Sequence, residues 1–142
     1  MAWNGQTVWL LLWLGVWTIS DFRRRSICLW QVLLVLAGGF LWQLPGGRLW
    51  TWDTAGGLML GGLSWVFGRI TAGQFGTGDA LVILCLGLYV GFSGCLAVLF
   101  LALLLASLAA LVLLLLKKST LQSEIPFIPF LAAGFAAMLI VR

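Results

Sequence analysis

The sequence predicts an all-α membrane domain of six transmembrane helices with both termini on the outer face. Three observations carry that prediction. Of 142 residues, 63% are hydrophobic and 8% are charged, against about 25% charged in a soluble domain, and mean hydropathy is +1.13. Such a chain cannot present a water-compatible surface. Apolar stretches near the spanning length of about 17–25 residues follow one another, divided by short polar or Gly/Pro segments. The basic residues are also unevenly distributed over the connections. The length fits one domain, residues 1–142, and no linker or low-complexity tract divides it.

The first span is Trp3 to Ser20. It has no basic residue before it and no small-residue cleavage site after it, so it reads as a retained helix rather than a signal peptide. Ile27 to Leu44 is the second and ends at the turn signal Pro45-Gly46-Gly47. Thr54 to Ile70 is the third. Its Gly56-Gly57 and Gly61-Gly62 pairs suit close helix packing. From Ala80 to Leu116 there are 37 residues without a charge, about 55 Å as one helix, so the run must fold back across a hydrocarbon core of about 30 Å. Gly91-Phe92-Ser93-Gly94 is the expected turn. It leaves a short fourth helix, Asp79–Phe92, and a long fifth, Cys95–Leu116. The polar segment Lys117 to Glu124 precedes the sixth span, Ile125 to Val141.

Connections one, three and five carry Arg23, Arg24, Arg25, Arg69, Lys117 and Lys118, whereas the opposite face has only Arg48 and Arg142. The positive-inside rule places the richer side in the cytoplasm and both termini outside. Trp42, Trp50 and Trp52 flank the outer connection between spans two and three, as interfacial aromatics do. Trp9, Trp13 and Trp17 form a stripe that reads as lipid-facing or packing surface.

Several functions are excluded. There is no histidine, which removes Ser-His-Asp and Cys-His catalysis and His-containing zinc sites. Cys28, Cys85 and Cys95 are too few and scattered for a metal site or disulfide framework and read as small apolar residues. No basic patch is interleaved with polar contact residues, so nucleic acid is not an expected partner. No cofactor or metal is expected.

Four acids remain. Asp21 closes span one and Asp79 opens span four, so the predicted topology brings both to the cytoplasmic face although 58 positions separate them. Asp79 follows Gln74-Phe75-Gly76-Thr77-Gly78, and its two glycines permit a sharp bend or a close approach. Structural roles exist for both acids. Asp79 suits a helix N-cap, and Asp21 suits pairing with Arg23–Arg25. Asp21, however, lies where the helix dipole disfavours an anion, and ionisable groups at membrane depth are costly. Asp53 reads as a cap for span three. Glu124 reads as a first-turn acid of span six that shares the cytoplasmic face and is a further candidate. Two carboxyls close together in low dielectric hold one proton between them. Such a pair activates a water against a peptide carbonyl with no metal or nucleophilic side chain, and it titrates as a unit.

Three segments resemble the type IV prepilin peptidases, membrane aspartyl proteases with a Gly-x-Gly-Asp motif. Gly76-Thr77-Gly78-Asp79 is similar to the segment of the second catalytic aspartate. Asp21-Phe22-Arg23-Arg24-Arg25-Ser26-Ile27 is similar to that of the first. Ile125-Pro126-Phe127-Ile128-Pro129-Phe130 resembles the Ile-Pro-Phe-x-Pro segment of the last span. The resemblance implies a catalytic pair Asp21 and Asp79, with Gly76, Gly78, Pro126 and Pro129 shaping the site. It also implies removal of leader peptides from prepilins or pseudopilins at the cytoplasmic face of a bacterial inner membrane, in type IV pilus or type II secretion systems, the outer face then being periplasmic. Two positions depart from the family pattern. Cys28-Leu29 stands where Pro-Asn is usual, and Leu81 stands where a Lys is frequent. Larger members carry an N-terminal cysteine-containing region and N-methylate the new pilin terminus. The short form expected here is a peptidase without methylation. Two alternatives stay open: a pilus or secretion assembly component without catalysis, and a small transporter that uses the acids as a proton relay.

Overall fold

The computed structural model describes residues 4–24, 27–47, 51–71, 76–116 and 125–141, and among them the regular structure is entirely helical. Helices α1 (Gly5–Arg24), α2 (Leu29–Gln43), α3 (Trp52–Ile70), α4 (Thr77–Leu115) and α5 (Ile128–Val141) follow in order, with a 3-10 turn at Leu44–Gly46. Pro45 opens that turn, and Gly47 closes it in the left-handed region at φ 63°. Two of these segments, Leu29–Gly46 and Thr77–Leu115, are long and apolar enough to cross a membrane, and α5 is a shorter apolar helix.

Helix α4 contains the expected reversal. The expected fourth and fifth helices form its two arms, joined at Gly91, whose φ of 79° and ψ of −176° are non-helical. Cys95 Sγ lies 3.8 Å from the carbonyl oxygen of Ile83, twelve residues earlier. Twelve residues of straight helix would separate them by about 18 Å, so the chain turns back at Gly91. That glycine region of backbone space is essentially closed to residues with a Cβ.

Asp53 holds the turn, which corrects its expected role. The N-cap of α3 is Thr51, whose hydroxyl accepts from the Thr54 amide. The Asp53 carboxylate instead accepts the Phe92 and Ser93 amides at 3.0 and 3.3 Å. It caps the second arm of α4 across 39 residues of sequence, satisfying donors that the break leaves without intrahelical partners.

The bundle packs around α4, which touches every other helix. Its first arm crosses α3 at backbone distance. A Cβ on Gly57 would strike the Gly87 carbonyl, one on Gly87 would strike Gly57, and one on Gly61 would meet the Leu84 backbone. The pairs 57–87 and 61–84 run in opposite senses, so α3 is antiparallel to this arm. Of the glycine pairs in α3, only Gly57 and Gly61 make this contact; Gly62 faces open space. We predict that Gly57→Val forces the two helices apart and lowers stability by about 1–3 kcal/mol, while Gly62→Val changes it little. Thermal unfolding in detergent distinguishes the two.

Buried positions on α1 are Thr7, Leu10, Leu14 and Trp17, the three-four spacing of one helix face. Trp17 is fully buried, whereas Trp9 is exposed. The tryptophan stripe is therefore packing surface at one end and outer surface at the other. Large apolar side chains cover the outside, including Leu12, Ile19, Phe22, Leu41 and Ile140. That surface is far larger than a soluble monomer exposes and is that of a membrane protein.

Candidate active site

Asp21 and Asp79 sit at one end of the bundle because each extends an inward-facing helix stripe. On α1 the buried series 7, 10, 14, 17 continues at 21. Asp21 is half-buried and its Oδ2 is shielded from solvent. On α4, Val82, Ile83, Leu86 and Val90 are buried, and stepping back one turn from Val82 and Ile83 reaches Asp79, also half-buried. The two carboxylates lie within range of each other's charge.

Their helical settings are opposite. Asp21 occupies the last turn of α1 before Arg23 and Arg24, at the negative end of the helix dipole. Asp79 occupies the first turn of α4, at the positive end. It is not the N-cap. That position belongs to Gly76, in extended backbone at φ −59° and ψ 123°, whose carbonyl accepts the Ala80 amide at 3.3 Å. A Cβ at Gly76 would stand 3.1 Å from Asp79 Oδ2, and one at Gly78 would stand 2.9 Å from Ile27 Cδ1. The Gly-x-Gly pair therefore makes room rather than an unusual dihedral angle. One glycine clears the carboxylate and the other lets the start of α4 meet the segment that leads from Asp21 into α2.

The antiparallel register of α3 and α4 brings the end of α3 to the same level. There Arg69 stacks over the Trp65 ring at 5.1 Å. Arg23, Arg24 and Arg69 are the described basic residues, and all lie at this end. Glu124, Arg25, Arg48, Lys117, Lys118 and Arg142 lie outside the described residues, as do Gln74, Phe75 and Trp50. Among the described residues no group of three His, Cys, Asp or Glu side chains could hold a metal ion.

A sequence model of the type IV leader peptidase family matches residues 8–115, from the first helix through both arms of α4. The chain belongs to that family. It is 32% identical to prepilin leader peptidase/N-methyltransferases from Aeromonas salmonicida strain A449 and from Aeromonas hydrophila, with 97% of this chain and 50% of each relative covered. The chain thus spans about half the length of the curated relatives it matches. No solved structure matches it.

Within this leader peptidase family member the remaining motif residues take clear places. Leu81, two residues after Asp79, is half-buried and packs against the core. Cys28 is exposed and precedes α2 in extended backbone. Pro129 lies in the first turn of α5, where a missing amide costs no helical bond. Pro126 lies before α5, whose first residue, Ile128, is buried. The helix starts three residues later than the apolar run because the two prolines restrict the backbone before it. Ile27 closes the motif segment that begins at Asp21, but the sequence carries no expectation of its contact with Gly78. Its proximity to Asp21 along the chain was the available signal.

Gly76→Ala provides a test of the site's tolerances. The added methyl displaces the Asp79 carboxylate by a few tenths of an ångström. The expected loss of activity is smaller than the roughly hundredfold that follows a 1 Å misplacement, without loss of folded protein. Gly78→Ala should be milder still, because its obstacle is the mobile end of Ile27. Rate measurements on the purified variants check both.

Proposed function

We propose that the chain is an aspartyl endopeptidase that removes leader peptides from prepilins or pseudopilins at the cytoplasmic face of a bacterial inner membrane. The observation that carries this reading is a pair of half-buried carboxylates from distant helices, within range of each other's charge, at one end of an apolar bundle. In this reading the helices, with α4 counted as two arms, make six membrane crossings with both termini periplasmic. The basic residues at the acid end support the orientation. Family membership and the names of the Aeromonas relatives support the substrate class.

The chemistry follows from the residues. Asp21 and Asp79 share one proton. The ionised carboxyl takes a proton from a bound water as its oxygen attacks the scissile carbonyl carbon. The protonated carboxyl donates to the carbonyl oxygen, giving a gem-diol. On collapse the C–N bond breaks and the amine leaves with a proton returned by the pair. Gly76, Gly78, Pro126 and Pro129 shape the backbone around the acids and the approach of substrate.

The test is co-expression with prepilins from the same genome, with leader removal read by gel shift and N-terminal sequencing. Cleavage by the wild type that is lost in the Asp21→Asn/Asp79→Asn variant supports the reading. A wild type that leaves every prepilin intact favours a non-catalytic assembly role. Proton-coupled flux lost in the same variant, without proteolysis, favours the relay.

A further inference from the structure

At the end of the bundle away from the two acids, a cleft of about 420 Å³ is lined by Gln6, Gln43, Thr51, Asp53, Thr54, Tyr89, Val90, Gly91, Ser93 and Gly94. Fifteen residues of α1 separate Gln6 from Asp21, about 22 Å along the helix, and eleven residues of α4 separate Val90 from Asp79, about 16 Å. The cleft is therefore a separate feature, on the scale of small-ligand sites, and the peptidase chemistry makes no use of it.

Its lining is rich in acceptors. Gln43 is only 5% exposed. Its Nε2 donates to the Leu88 carbonyl, while its Oε1 has no hydrogen-bond partner among the described residues. A buried amide oxygen in that state costs stability until a donor reaches it. The Tyr89 hydroxyl donates to the Val35 carbonyl at 2.8 Å and accepts from the Trp9 side chain, so it fixes this wall of the cleft rather than offering a free acceptor. Asp53 adds a carboxylate. Oδ1 receives the two amides of the Gly91 turn, and no lysine or arginine stands among the described residues that line the cleft. The complement of such a lining is a compact group with one positive charge and several N–H donors.

The surroundings indicate where that group comes from. Trp42, Leu44 and Trp52, adjacent in sequence to lining residues, are 58%, 61% and 94% exposed. Exposed tryptophans at the end of an apolar bundle mark the level of lipid headgroups. We infer that this cleft binds the primary ammonium of an ethanolamine phospholipid, with its acyl chains lying along the apolar flank of the bundle. The inference stands independently of the peptidase reading.

The discriminating comparison is between ethanolamine and choline phospholipids with identical acyl chains. Both carry one positive charge, but the trimethylated headgroup has no N–H to donate. The full chain is reconstituted in an equimolar mixture of the two, and the retained lipid is counted by native mass spectrometry. Ethanolamine lipid should be enriched on the order of tenfold, the effect of one charge-assisted hydrogen bond. Asp53→Asn keeps an oxygen for the Phe92 and Ser93 amides but removes the charge, and should bring the ratio close to one. Ser93→Leu fills the cleft without touching that cap and should do the same, so the test survives misfolding of the Asp53 variant. Equal retention of the two lipids, or undiminished enrichment in both variants, overturns the inference. Soluble phosphoethanolamine that binds the chain in choline lipid as well as the phospholipid does overturns the lipid as the source.

Discussion

Asp79→Asn and Asp21→Asn are each expected to lower the rate of leader removal by roughly 10²–10⁴-fold, the contribution of a positioned acid or base. Asparagine keeps the shape of the side chain but can neither accept the proton of the attacking water nor deliver one to the carbonyl oxygen. The two acids operate as one device, so losing the second after the first should add little, and the double variant should match the worse single variant. A purely structural role predicts otherwise. A first-turn carboxylate such as Asp79 contributes about 0.3–1 kcal/mol to its helix, so its loss would reduce the amount of folded protein and leave the rate per folded molecule unchanged. Measuring both the helical signal and the turnover of purified protein separates the cases. Turnover near the wild-type rate in either variant would remove that acid from the mechanism.

Gly91→Ala should be among the most damaging single substitutions away from the acids. The backbone there, φ 79° and ψ −176°, costs a residue with a Cβ about 1–3 kcal/mol. In addition, the methyl would strike Asp53 Oδ2, the carboxylate that caps the second arm of α4. The expected result is a lowered unfolding temperature and faster proteolysis of the folded protein in detergent. The two sites touch, so their effects should couple. Asp53→Ala is destabilising alone because it leaves the Phe92 and Ser93 amides without their acceptor. Combined with Gly91→Ala, it removes the obstacle to the methyl, and the pair should cost less than the sum of the singles. Strict additivity in that cycle would mean that the overlap is relieved elsewhere.

The fate of Asp53 shows how far sequence reasoning reaches here. Its place beside Thr54 at the start of an apolar run suggests a cap for that helix. The three-residue spacing fits Thr51 and Thr54 instead, and the partner of Asp53 is a turn 39 residues away. Local sequence contains no signal for such a pairing, because the need for a distant acceptor arises only when the chain reverses at Gly91. The reversal itself was legible. A charge-free run of 37 residues is too long for one crossing, and Gly91 is the first glycine of the only Gly-x-x-Gly stretch within it.

By itself, the sequence determined the apolar helices, the end of the molecule to which the acids belong, and the absence of any histidine-based chemistry. Those depend on composition, length and the order of a few polar residues, which a linear reading preserves. Only the tertiary structure decided which face of each helix turns inward. In this chain the outward residues Leu12 and Ile19 are as apolar as the buried Leu10 and Leu14, so the polar contrast that normally orients a helix is missing. Close packing chose the faces instead, through the backbone contact of Gly57 with Gly87 and the small Gly78 against Ile27. That choice placed Asp21 and Asp79 at one end of the bundle, within range of each other's charge.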